Sequence, residues 1–325
     1  MAPWLRSAGL VAGSSLAFAA LRWALSRCPL PAHVRLDATR TWRWRNLLVS
    51  FAHSVVAGLW AVVGMCQLPG ALDDLVQTTS PSAHLLLCFS TGYFIHDSLD
   101  IVVCRQSRSS WEYLVHHAVA VTGLLSGIFL NRFVAAGLLS MFVEVSNIFL
   151  TMRMMVRLGK LPLPTFYEVN KYANLVAYFL FRLAPQAYLT WFFVRHVEMR
   201  GQGAFLMVNL ILLDAMILMY FSRLLRSDFY PGSRGPGSDD EKNGEDAKNG
   251  VLCSAAWLLV CLKLLRTSDL VYGASSREAR QPGLPPQLGL GLCLAWFPRK
   301  GQEANLGRAG DDRKKRRKRK SPRAF

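Results

Sequence analysis

The chain has 325 residues, 52% of them hydrophobic, and a formal net charge of +17. Its charges fall mainly between and beyond long apolar runs, which excludes a soluble globular domain and gives a polytopic membrane protein. The seven cysteines (Cys28, Cys66, Cys88, Cys104, Cys253, Cys261 and Cys293) include no Cys-x-x-Cys pair and no zinc spacing, so neither a disulfide framework nor a metal knuckle is expected.

In chain order, the candidate spans are 8–25, 47–68, 84–103, 116–130, 134–151, 173–194 and 204–221. Each is close to the roughly 20 residues that a hydrocarbon core of about 30 Å requires. The first run is expected to be a retained anchor. A cleaved signal peptide is the alternative, because Arg6 precedes the run and Ala17-Phe18-Ala19 offers small residues for cleavage. The fourth run is short for a full crossing, so it either begins near Ser110 or is partly re-entrant.

Lys and Arg in the short connections set the orientation. With the N-terminus outside, the cytosolic connections hold Arg27, Arg35, Arg40, Arg43, Arg45, Arg105, Arg108, Arg153, Arg157, Lys160, Lys171, Arg223 and Arg226, whereas the outer ones hold only Arg6, Arg132, Arg195 and Arg200. Beyond the last span the composition changes. Residues 231–250 are rich in Gly, Pro, Asp, Glu, Lys and Asn and read as a disordered linker, and 251–265 reads as an interfacial helix. Residues 281–298, broken by Pro and Gly, give no strong reading. The eight successive cations Arg313 to Lys320 are expected to lie against anionic cytoplasmic lipid, with a merely solvated tail as the alternative and nucleic acid the least expected partner. The domain organisation is therefore an N-terminal anchor or signal segment at 1–30, a membrane domain at 40–231 and a disordered basic extension at 232–325.

The polar residues inside the apolar runs carry the functional argument. An ionisable group at membrane depth costs roughly 2.5 to 3.5 kcal/mol on insertion scales, so a chain that keeps several has a use for them. His116 and His117 follow Trp111-Glu112-Tyr113-Leu114-Val115, and Glu144 and Asn147 lie within the fifth span. In the chosen orientation His96, Asp97 and Asp100 of the third span, Glu144, Arg182 and Asp214 all come out in the inner half of the bilayer, as do the two histidines. Arg182 is expected to be the counter-ion of Glu144 or Asp214. For Asp214, Asn147 and Ser146, interhelical packing explains the polarity at least as well as a site does. Two histidines and a buried carboxylate are harder to explain by packing, so His116, His117 and Glu144 are the catalytic candidates. No His-x-x-x-His array, glycine-rich phosphate loop, nucleophile elbow or dinucleotide fingerprint is present, and neither a metal nor another cofactor is expected.

The segments Thr41-Trp42-Arg43-Trp44, Gly92-Tyr93-Phe94-Ile95-His96-Asp97, Trp111-Glu112-Tyr113-Leu114-Val115-His116-His117, Val143-Glu144-Val145-Ser146-Asn147 and Phe181-Arg182-Leu183-Ala184-Pro185-Gln186, in this order, resemble the TLC-domain family of ceramide synthases and translocating-chain-associating membrane proteins. The likeness covers about residues 1–230. It implies an all-α bundle or barrel of about six helices around a lipid-accessible cavity, with an additional N-terminal segment. His96, Asp97, Asp100, Asn147, Arg182 and Asp214 would then be its polar lining. His116 and His117 match the paired histidines that ceramide synthases need for acyl transfer, but those enzymes carry His-Asp-x-Ser-Asp where this chain has Val143-Glu144-Val145-Ser146-Asn147. The resemblance is closer to members that regulate phospholipid composition and membrane fluidity at the plasma membrane, limiting incorporation of polyunsaturated acyl chains. The partners it implies are membrane phospholipids or acyl chains, with lipid-remodelling enzymes or a calcium channel as further candidates. An acyltransferase of ceramide-synthase type using His116 and His117 and a calcium-channel-associated regulator are the alternative functions, and the endoplasmic reticulum the alternative location.

Overall fold

The computed structural model describes residues 2–229 apart from 109 and 199, and these residues form helices without a strand. In order they are α1 (Pro3–Leu25), α2 (Ala32–Arg35), α3 (Ala38–Cys66), α4 (Pro81–Val103), α5 (Trp111–Leu130), α6 (Val134–Ser140), α7 (Val143–Gly159), α8 (Pro164–Tyr178), a π-helical turn (Phe179–Leu183), α9 (Ala184–His196) and α10 (Gln202–Phe229). The linker, interfacial-helix and basic-octet readings, and all else beyond residue 229, lie outside the described residues.

Six stretches are long and apolar enough to cross a membrane: Pro3–Leu25, Ala38–Cys66, Pro81–Val103, Trp111–Leu130, Val134–Gly159 and Gln202–Asp228. The crossing expected at 173–194 is built differently. Helices α8 and α9, of 15 and 13 residues, are each too short to span alone and run on through the π-helical turn. The stretch expected at 116–130 is a helix of 20 residues that begins at Trp111, so it needs no re-entrant backbone. Helix α3 starts nine residues before the apolar run expected at 47–68, because the Asp37 carboxylate accepts from Thr39 N at 3.0 Å and caps it. Ser80 caps α4 in the same way, with Pro81 in its first turn.

Neighbour relations place the helices in a ring. Helix α3 packs on α4, α4 on α5, α5 on α10, α10 on α9, and α8 with its π-helical turn packs on α7, which returns to α3. Helix α1, the segment read as anchor or signal peptide, lies outside this ring along α4. Helix α6 reaches α3, α4, α5 and α9, with Val134, Ala135 and Leu138 fully buried. It closes the arginine-poor end of the ring together with Ala71 and Leu75 of the 67–80 connection, which pack with Leu189, Phe192, Phe193 and Leu210. The opposite end carries Arg27, Arg35, Arg105, Arg108 and Lys160 in its connections.

Lipid is as apolar as leucine, so burial alone does not hold such helices together; close packing and polar contacts do. Two glycines allow the close approaches. A Cβ on Gly58 of α3 would lie 2.9 Å from Val145 N on α7, and one on Gly92 of α4 would lie 2.5 Å from Ser14 Cβ on α1. At the second contact Ser14 Oγ also donates to Phe89 O at 2.8 Å.

Candidate functional site

Three polar clusters lie along the ring wall, each joining helices that the packing brings side by side. The first centres on Glu144, in the first turn of α7 and 3% exposed. Its Oε2 accepts from Ser54 Oγ at 2.7 Å and from Asn147 Nδ2 at 3.0 Å, and lies 3.6 Å from His53 Nδ1. The His53 ring, fully buried, stacks on Tyr93 with centroids 4.0 Å apart, and its Nε2 is 3.2 Å from Ser90 Oγ. On the other side, the Arg182 guanidinium donates to Ser146 Oγ at 3.0 Å and to Asn147 Oδ1, and it lies over the Tyr178 ring. Arg182 thus reaches Glu144 only through Asn147. It is not the direct counter-ion expected from charge, because its planar fork finds amide and hydroxyl oxygens on α7 first.

The second cluster centres on Asp97 of α4. Its Oδ1 accepts from Asn46 Nδ2 of α3, and its Oδ2 lies 3.3 Å from His117 Nδ1 of α5. Phe94 packs against both His117 and His53, with ring centroids 5.2 and 5.6 Å away, so an aromatic wall separates the two clusters. His116 is half-buried, turned from its neighbour by an interplanar angle of 54°, and its Nδ1 is sealed without a hydrogen-bond partner. In both rings Nδ1 is buried without a hydrogen bond. Among the described residues, no hydrogen bond or ion pair joins Glu144 to His116 or His117. The carboxylate beside the histidine pair is Asp97, which lies near His117, whereas Glu144 lies beside His53.

The third cluster fixes α1 to the ring. Asp100 accepts from Arg22 Nε at 3.0 Å on one oxygen and from Trp42 Nε1 at 2.8 Å on the other. His96 is half-buried beside it and joins neither aspartate by a hydrogen bond. Asp214 of α10 accepts from Thr190 of α9 at 2.8 Å, so it stitches two helices and is not paired with Arg182. At the arginine-rich end Arg153 pairs with Asp228, and Arg223 forks onto Glu112 at 2.7 and 2.9 Å.

Sequence reasoning missed His53, Ser54, Asn46, Arg22 and Trp42. A histidine in the middle of the apolar run 47–68 was the available signal for the first; the others depend on helix rotation, which spacing does not reveal. Two clefts of about 520 Å³ open at the surface, one apolar between α1, α4 and α5, the other beside the α7–α8 connection. Neither is lined by His116, His117 or Glu144. Among the described residues no three His, Cys, Asp or Glu side chains gather at metal-binding distance.

Comparison with known proteins returns one family model, the TLC domain, over residues 43–226. The chain is 62% identical over 240 residues to TLC domain-containing protein 1 of Gallus gallus, covering 73% of this chain and 95% of that protein. It is 59% identical over 222 residues to the Homo sapiens protein of the same name, covering 68% and 90%. It is 35% identical over 244 residues to TLC domain-containing protein 2 of Danio rerio, covering 74% and 98%. No solved structure matches.

Proposed function

The chain belongs to the TLC-domain family, and from that premise we propose that it is a non-catalytic regulator of membrane lipid. In this reading the membrane domain holds phospholipid or acyl groups and biases which chains enter membrane phospholipids, limiting polyunsaturated chains and so adjusting fluidity. The observation that carries it is the direction in which Glu144 is tied. Its Oε2 is committed to Ser54, Asn147 and His53, across to α3 and along its own helix, and not to the paired histidines. Acyl transfer needs a base held by its orienting group at set geometry, and the carboxylate on this helix does not supply that. The apolar groove between α1, α4 and α5, with Val11, Leu16, Ile95 and Phe129 on its walls, supports a place for an acyl chain. The proposal puts the protein at the plasma membrane rather than the endoplasmic reticulum, which surface labelling of intact cells tests.

A second reading is favoured by one specific contact, His117 Nδ1 at 3.3 Å from Asp97 Oδ2. A carboxylate at Nδ1 holds the ring so that Nε2 accepts a proton. His117 would take the proton of an amine or hydroxyl acceptor as that group attacks an acyl thioester. The carbon–sulfur bond breaks and the departing thiolate receives the proton from the imidazolium.

Purified protein given acyl thioester and acceptor lipid separates the two. The regulator retains lipid and forms no product, while expression in cells still lowers the polyunsaturated fraction of phospholipid. Product that vanishes in the His116→Ala, His117→Ala double variant would overturn the first reading in favour of the second.

A further inference from the structure

We propose that the cleft at the arginine-rich end, where the α7–α8 connection meets the end of α10, binds the phosphate of an anionic phospholipid. It does not rest on the reading of the ring interior. The cleft, of about 520 Å³, is lined by Arg157, Tyr167 and Ser227 together with Leu161, Leu163 and Pro164. Its charge balance is positive. Glu168, which also lines it, is engaged by Lys171 at 3.2 Å, and Asp228 beneath Ser227 is paired with Arg153. Arg157 is exposed on α7 and has no acidic partner among the described residues. A cation left uncompensated beside an apolar wall at a membrane surface is the chemistry that holds an anionic headgroup.

One further feature fits a phosphate. Helix α8 begins at Pro164 without a side-chain cap, so the N–H groups of Thr165 and Phe166 have no acceptor among the described residues and present the positive end of a 15-residue helix. Leu161 and Leu163 select a lipid over a free anion, because the latter gains nothing from an apolar wall. Leu163 is 45% exposed, an apolar surface suited to the root of an acyl chain.

The test is lipid retention by purified full-length protein in detergent, with phosphatidylserine and phosphatidylcholine of matched chains supplied equally and bound lipid counted by native mass spectrometry. Wild-type protein is expected to prefer phosphatidylserine. Arg157→Gln should reduce that preference about five-fold, the effect of one cation near a membrane surface. Arg157→Lys should keep it, as should Arg43→Gln, which removes an exposed arginine elsewhere. The absence of a wild-type preference, its survival in Arg157→Gln, or an equal loss in Arg157→Lys or Arg43→Gln overturns the proposal. So does displacement of the bound lipid by millimolar inorganic phosphate, which would assign the cleft to a free anion.

Discussion

The Glu144 cluster and the paired histidines occupy the same ring, yet they are built to opposite ends. Around Glu144 the bonds turn toward a neighbouring helix: Ser54 and His53 from α3, Asn147 and, through it, Arg182. At the histidines Nδ1 of each ring is buried without a hydrogen bond, with a single carboxylate beside His117 and no ion pair at His116 among the described residues. The first arrangement is a brace and the second has atoms to spare. Buried polar groups in membrane proteins therefore need to be sorted by where their hydrogen bonds end, since depth and charge alone put both sets in one class.

The largest expected effect comes from breaking the contact on which the brace depends. Gly58→Leu drives a side chain against α7, where even a Cβ would lie 2.9 Å from Val145 N, and should cost about 3 kcal/mol by forcing the two helices apart. Thermal melting in detergent, or unfolding by a denaturing detergent, reads this. Next is Glu144→Ala, which removes the acceptor of Ser54 and Asn147 and the partner of His53. At about 0.6 kcal/mol for each of the two interhelical polar contacts, to Ser54 and His53, it should cost about 1 kcal/mol by the same assay. Arg22→Gln, which frees α1 from Asp100, should cost about 1 kcal/mol, and a cycle with Asp100→Asn should give a smaller second loss because only the neutral donors Trp42 and Cys104 remain. The smallest effect belongs to His116→Ala, within about 0.5 kcal/mol of wild type, since its ring satisfies no bond that is lost. A large loss there, or none in Glu144→Ala, would reverse the assignment of brace and open site.

The sequence made some of this legible and concealed the rest for physical reasons. Long apolar runs located α1, α4, α5, α7 and α10, because hydropathy reports directly on what faces lipid. It did not report the early start of α3, where Arg40, Arg43 and Arg45 interrupt the apolar signal while Asp37 caps the helix. The π-helical turn was equally hidden, since Phe179–Leu183 is nearly all apolar and a changed hydrogen-bond register leaves no mark in composition. In the site, the histidine pair and Glu144 were visible as costly groups in apolar runs. Their partners were not, because they are set by rotation and crossing angle: Asp97 rather than Glu144 meets His117, and Asn147 rather than a carboxylate meets Arg182. His53 was within reach and was passed over, being a lone histidine without a motif around it.

The division between brace and open site is tested most directly by histidine modification with diethyl pyrocarbonate in folded, delipidated protein, read residue by residue by mass spectrometry. His116, which is half-buried, should be modified while the fully buried His53 stays protected until the protein unfolds. Modification of His53 as fast as His116, or protection of both, would contradict the account.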